Sequence, residues 1–215
     1  MFQDWDTIDL LLYRHEHKVD QDRIKDVWDG VVLWELLKKY VMMDDQVQEY
    51  TYGELKMDIF LALTCNGISV HKSIGVCCSK TEYACFLLEL IILNLPPEIR
   101  TQDQYVYSLG VILGPREPKH LNSFCWPFYQ ECLRRLQGIQ TYHTIDHQFF
   151  PLCFYCPLTF GDLKAMIKLK GTVGVGTLVP CHKCNVIAMR DTSSTLKGTR
   201  HTIYPSQFQE TQNTT

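Results

Sequence analysis

A chain of 215 residues is long enough to bury one substantial core and too short for two large domains. With 46% hydrophobic and 21% charged residues it is neither a disordered polymer nor a fibrous repeat. A formal net charge of -3 excludes a wholly basic nucleic-acid binder and leaves room for a local basic face.

The first predicted elements are helices over residues 5–41. Ile8, Leu11 and Leu12 recur at helical spacing, and Trp34, Leu37 and Val41 repeat it after a break at Asp29-Gly30. The polar stretch Gln46–Tyr52 reads as a connection. A strand is then expected over Asp58–Asn66, with Asn66-Gly67 making a tight turn, because both residues tolerate the positive φ of such corners. After a loop over His71–Thr81, Tyr83–Leu95 is an apolar run stopped by Pro96-Pro97. Tyr105–Leu113 is a third stretch of strand length, ended by Gly114-Pro115.

A helix follows with Phe128, Cys132 and Leu136 on one face and Gly138 at its close. Pro127 is expected in its first turn, where a missing N–H costs nothing. Phe149–Phe160 reads as a buried central strand that delivers Asp162 just past its end, and Leu163–Leu169 begins another helix. Glycines punctuate 171–176, and the polar stretch 207–215 is expected to be disordered. The longest apolar run, Phe86–Leu95, carries Glu89 and Asn94 and falls well short of the roughly 20 residues of a membrane span. Ten cysteines beside a start, Met1-Phe-Gln-Asp-Trp-Asp6, that lacks a basic and an apolar segment point to a reducing, intracellular compartment and no membrane partner.

Pattern alone gives an α/β fold. A sharper expectation comes from five segments taken in order: Asp58-Ile-Phe-Leu-Ala-Leu-Thr-Cys-Asn-Gly-Ile-Ser-Val70, Leu90–Pro97, Leu109–Pro115, Phe160-Gly-Asp162 and Cys181-His-Lys-Cys184. Together they resemble transposases of the CACTA-type (En/Spm-like) DNA transposons, in particular the fungal variety, over roughly residues 26–185. The resemblance implies an incomplete ribonuclease-H-like core, a mixed sheet flanked by helices, with N-terminal helices and a small Cys-x-x-Cys knuckle. The corresponding division is a helical segment over 1–50, the partial core over 51–175, a zinc-knuckle-like segment over 176–204 and a tail over 205–215. The parent activity is metal-dependent DNA cleavage and strand transfer, with transposon-end DNA as partner and the nucleus as location.

Enzymes of this kind hold two divalent ions, Mg or Mn, between carboxylates that converge from strand ends. By its match to the second-acid motif, Asp162 is the surviving metal ligand; an aspartate in that place also suits a helix N-cap, and the two roles are compatible. The family's first acid is replaced here by Asn66, whose amide brings no net charge to screen two dications. Asp58, eight residues earlier on an extended strand, is about 26 Å away and does not compensate. The family's glutamate lies downstream of an insertion that has no counterpart here, and Glu82, Glu89, Glu98, Glu117 and Glu131 sit in no matching motif. The resemblance therefore implies an inactive enzyme. A non-catalytic DNA- or protein-binding module is the other reading.

Charge is segregated along the chain. Acids crowd the first 60 residues, whereas Lys164, Lys168, Lys170, Lys183 and Arg190 give the last third a basic surface suited to phosphate oxygens. Cys181 and Cys184 have zinc-knuckle spacing, with His201 the nearest further ligand. Cys153 and Cys156 share that spacing, but on a strand they face opposite sides and are expected to pack in the core. His15 and His17, two apart on a helix, read as solvated surface, and His143 and His147 fall in a predicted loop.

Overall fold

In the computed structural model, residues 5–20, 22–69, 84–114, 118, 120–144, 146–171, 189–190 and 202–203 are described. The chain begins with helix α1 (Trp5–Glu16), a 3-10 turn at Val27–Asp29 and the short helix α2 (Val31–Leu37). Next come strands β1 (Tyr40–Met43) and β2 (Gln46–Thr51), β3 (Ile59–Ser69), β4 (Ala84–Ile92) and β5 (Val106–Leu113). Helix α3 (Asn122–Arg135) leads to the hairpin β6 (Ile139–His143) and β7 (Gln148–Leu152), then β8 (Phe154–Gly161) and helix α4 (Leu163–Lys170). A last antiparallel pair joins β9 (Met189–Arg190) to β10 (Thr202–Ile203).

The fold is mixed α/β. Its main sheet has the order β5-β4-β3-β8, with β3 antiparallel to β4, β4 antiparallel to β5, and β3 parallel to β8. Helices and the β1–β2 hairpin cover it. On one face Phe60, Ala62, Cys153 and Tyr155 pack with Trp28, Leu33 and Val41 of the N-terminal region. On the other, Leu63, Cys65, Phe86 and Leu88 pack with Leu121 and Cys125 around α3 and with Ala165 and Leu169 of α4. A third cluster sets Ile8 and Leu11 of α1 against Ile59, Leu61, Ile92 and Leu95.

Several expectations change in the folded chain. Residues 40–51 form a hairpin rather than helix and connection. Asp44 and Asp45 turn it with φ of 48° and 61°, the left-handed pair that two-residue hairpins favour, and Tyr50 packs inward on the core. The Asn66-Gly67 turn is absent: both residues stay in β3, paired with Leu87 and Phe86, and the ladder runs on to Ser69. The apolar run 149–160 divides at Cys153 into β7 and β8, and β8 is an edge of the sheet. Its burial comes from layers above and below, not from a central position.

Pro127 sits in the second turn of α3 instead of the first. The proline and Ser123, whose carbonyl loses its usual donor, are both exposed, so water can replace the missing bond. The expected face of α3 is otherwise present, with Phe128 and Leu136 against the core clusters and Gly138 beyond its end.

Buried polar ties fasten the N-terminal elements to the sheet. Arg100 donates to both carboxylate oxygens of Asp26, at 2.8 and 2.7 Å, and its Nε donates to the Leu95 carbonyl. The Trp28 indole N–H donates to Leu93 O at 2.9 Å, linking the 3-10 turn to the end of β4. His17, expected on solvated surface, instead lies 2.7 Å from Asp29; this bond, with the backbone N–H groups of Lys25 and Asp26, holds the Asp29 carboxyl down at about 2. Asn94 is wholly buried, its amide donating to Asp58 O and accepting from Phe60 N.

Asp58 carries the opposite perturbation. It is buried at the foot of β3, and desolvation pushes its carboxyl up to about 6 despite the N–H of Leu55 and the charge of Arg14. A folded-state value above the unfolded one means that Asp58 favours the fold most below about pH 4, and that this contribution disappears as pH rises through 6. Asp58→Asn is therefore expected to flatten the pH dependence of urea unfolding between pH 5 and 7.5. The wild type should lose on the order of 1–2 kcal/mol over that window, with allowance for partial screening. Equal slopes for variant and wild type would remove the carboxylate as the cause. Asp29 works in the other direction, stabilising above about pH 4 and ceasing to do so as pH falls through about 2.

Candidate functional site

The parallel pairing of β3 with β8 sets Thr64 beside Phe160 and Cys65 beside Gly161. Asn66 and Asp162 are the next residues on each path, Asn66 still within β3 and Asp162 just past the end of β8. Both are exposed. The two positions singled out in the sequence thus follow paired residues at the same end of the sheet, although 96 residues separate them in the chain.

β3 explains why Asn66 surfaces here. From Ile59 to Leu63 every side chain is buried, because both faces are covered. Beyond Ala62 the N-terminal layer no longer covers its face, so Thr64 is half-buried and Asn66 is exposed, while Cys65 on the other face stays at 0% exposure against α4. Burial, with lesser contributions from Cys125 and Asp162, raises the Cys65 thiol to about 11, so it remains protonated and inert.

Asp162 follows β8 in extended conformation and caps α4, its Oδ1 accepting the Ala165 N–H at 2.7 Å. Gly171, with φ of 62°, closes the same helix. The capping role is therefore a property of the fold, and one carboxylate oxygen is committed to it. Asp162→Ala is expected to cost about 1 kcal/mol through the lost cap, whereas Asp162→Asn, which keeps an acceptor, should cost only a few tenths. Urea unfolding of the two variants checks this; equal losses would show that the charge, not the cap, is what the fold uses.

The donors at this corner do not suit a pair of divalent cations. They comprise one capping carboxylate and one neutral amide, and among the described residues no three His, Cys, Asp or Glu side chains gather as a metal-binding group. Glu89 pairs with Thr64 and so lies on the same sheet face as Asn66, but one strand further from Asp162. Glu98 is exposed, and Glu131 pairs with Arg134 and Arg135 on α3. Glu82 and Glu117 lie outside the described residues. Asp58 precedes β3 at the end opposite Asn66, as extended spacing requires.

Of the basic residues, Lys168 turns inward over the Phe86 ring, its Nζ 4.6 Å from the centroid, and Lys170 is exposed in the last turn of α4. The side chains of Lys164 and Arg190 lie outside the described residues, as do Cys77, Cys78, Cys181, Lys183, Cys184 and His201. Cys153 and Cys156 occupy different core clusters, and burial raises both thiols. His143, expected in a loop, ends β6 beside Asp146, whereas His147 lies in the turn between β6 and β7 beside the Tyr142 hydroxyl.

Two surface hollows lie away from this corner. One, of about 240 Å³, opens beside the β6–β7 hairpin, lined by Lys56, His143 and Phe149 among others. The other, of about 360 Å³, is an apolar groove between α3 and β8, lined by Tyr129, Cys132, Phe154 and Pro157. Neither includes Asn66 or Asp162. Comparison with protein-family models, curated proteins and solved structures yields no match to the chain.

Proposed function

We propose that the chain is a piece of a ribonuclease-H-like transposase core of CACTA type, without cleavage activity of its own. The observation that carries this reading is the parallel β3–β8 register, which brings Asn66 and Asp162 to the same end of the sheet, where such enzymes assemble their acids. The strand order supports it, since three antiparallel-connected strands, a helix and a strand returning parallel to the first are what a ribonuclease-H-like core requires. Loss of activity follows from charge. With an amide in place of the first carboxylate and no glutamate in a matching motif, two dications in the roughly 3.5–4 Å arrangement of two-metal chemistry would repel with too little anionic screening.

A nicking assay on supercoiled DNA with Mg²⁺ or Mn²⁺ tests the proposal. Neither the natural chain nor Asn66→Asp is expected to cut, because restoring one acid leaves the glutamate missing. Nicking by the unaltered chain that Asp162→Asn abolishes would overturn the inactive reading. A second reading, a DNA-binding module without chemistry, draws on the basic last third of the chain, including exposed Lys170. It predicts a gel shift with duplex DNA that weakens steeply as salt rises.

A further inference from the structure

We infer that Arg14, Asp58 and Tyr155 form a binding site for one internal water molecule, at the junction of α1, the foot of β3 and β8. Each of the three residues is no more than 9% exposed. Each also holds one buried polar atom without a hydrogen bond of good geometry, Arg14 Nε, Asp58 Oδ1 and the Tyr155 hydroxyl, and the Cys153 thiol lies against the last two residues. Buried polar atoms are rarely left unpaired, and three such atoms drawn from separate elements call for a common partner.

Their remaining bonds place them together. Arg14 Nη2 donates to Leu55 O at 3.0 Å, and Leu55 N donates to Asp58 Oδ2 at 3.2 Å, so the backbone of one residue, through its two flanking peptide units, holds both charged groups. The Arg14 guanidinium lies 5.0 Å from the centre of the Phe60 ring, which in turn lies 5.1 Å from that of Tyr155. Burial dominates the ionisation of all three groups, and the Asp58 charge acts on both Arg14 and Tyr155.

The chemistry of the three atoms selects water. Arg14 Nε only donates, an ionised Asp58 only accepts, and the phenol does either. A water accepts from Nε, donates to Oδ1 and uses its third bond on the hydroxyl, which is the usual number of partners for a buried water. A bound ion suits the place less, because one guanidinium and one carboxylate already balance. The water would also complete the anchoring of α1, whose Arg14 Nη1 donates to Gly53 O at 3.1 Å.

A crystal structure of the full chain at about 1.8 Å resolution tests the site directly. The expected result is an ordered water within about 2.6–3.2 Å of at least two of the three atoms. A site without density, or direct bonds among the three side chains in its place, overturns the proposal. Tyr155→Phe gives an independent measurement, since it removes the hydroxyl and keeps the packing. If water is bound, the urea midpoint should fall by about 0.5 M through the lost bond. A dry, unpartnered hydroxyl would make the same substitution neutral or stabilising, so an unchanged or raised midpoint counts against the site.

Discussion

Arg100→Ala is expected to destabilise the fold by about 3–5 kcal/mol, because it strips the partner from a carboxylate that remains buried. The side chains of Arg100 and Asp26 are 8% and 1% exposed, and the guanidinium grips both carboxylate oxygens while its Nε satisfies the Leu95 carbonyl. Truncation leaves Asp26 charged in the interior and Leu95 O without its donor. Asp26 also accepts the Val27 N–H and starts the 3-10 turn that carries Trp28 into the core, so the damage should spread to the N-terminal layer. The double variant Asp26→Asn with Arg100→Met keeps the cap, removes both charges and should recover much of the loss. Urea unfolding near pH 7 measures each step. A single-variant loss below about 1 kcal/mol would mean that water reaches the pair and that the N-terminal layer is held by apolar packing alone.

Gly161→Ala is expected to cost about 2 kcal/mol, a large effect for one added methyl group. A Cβ at this position would collide with the Cys65 carbonyl oxygen and press to 3.2 Å on the Ala165 side chain. The first obstacle is backbone, which cannot rotate aside, so the end of β8 must move away from β3. That movement would carry Asp162 away from Asn66 and loosen α4 at its cap. Faster amide exchange at the β3–β8 ends and the start of α4 than in the β4–β5 ladder would mark the effect as local. A variant as stable as the wild type to within about 0.5 kcal/mol would show that the two strand tips need not approach so closely.

How much of this was legible beforehand depends on where the deciding interaction lies. The runs that became β4, β5, α3 and α4 carry their own punctuation in Pro96-Pro97, Gly114, Gly138 and Gly171, and Asp162 has the residue type and spacing of an N-cap. Opposite facing of Cys153 and Cys156 follows from strand geometry alone. The hairpin over residues 40–51 was less legible. Its second strand is rich in polar residues, and only the inward packing of Tyr50 and the bond from its hydroxyl to Leu136 O, 86 residues away, reveal it as part of the core. His17 likewise looked like surface until Asp29, twelve residues on, folded back against it.

Local residue types therefore determined the α/β class, the approximate limits of β4, β5 and α4 and the capping role of Asp162, because periodicity, capping and turn chemistry act within a few residues. Tertiary structure decided that Asn66-Gly67 continues a strand instead of turning, that 149–160 breaks in two, and that the two tip residues come to the same end of the sheet. The reason is physical: a strand is defined by its partner. Asn66 and Gly67 stay extended because Leu87 and Phe86 lie opposite them, and Asp162 comes to the same end of the sheet as Asn66 because β8 runs parallel to β3, a relation that no stretch of either strand contains by itself.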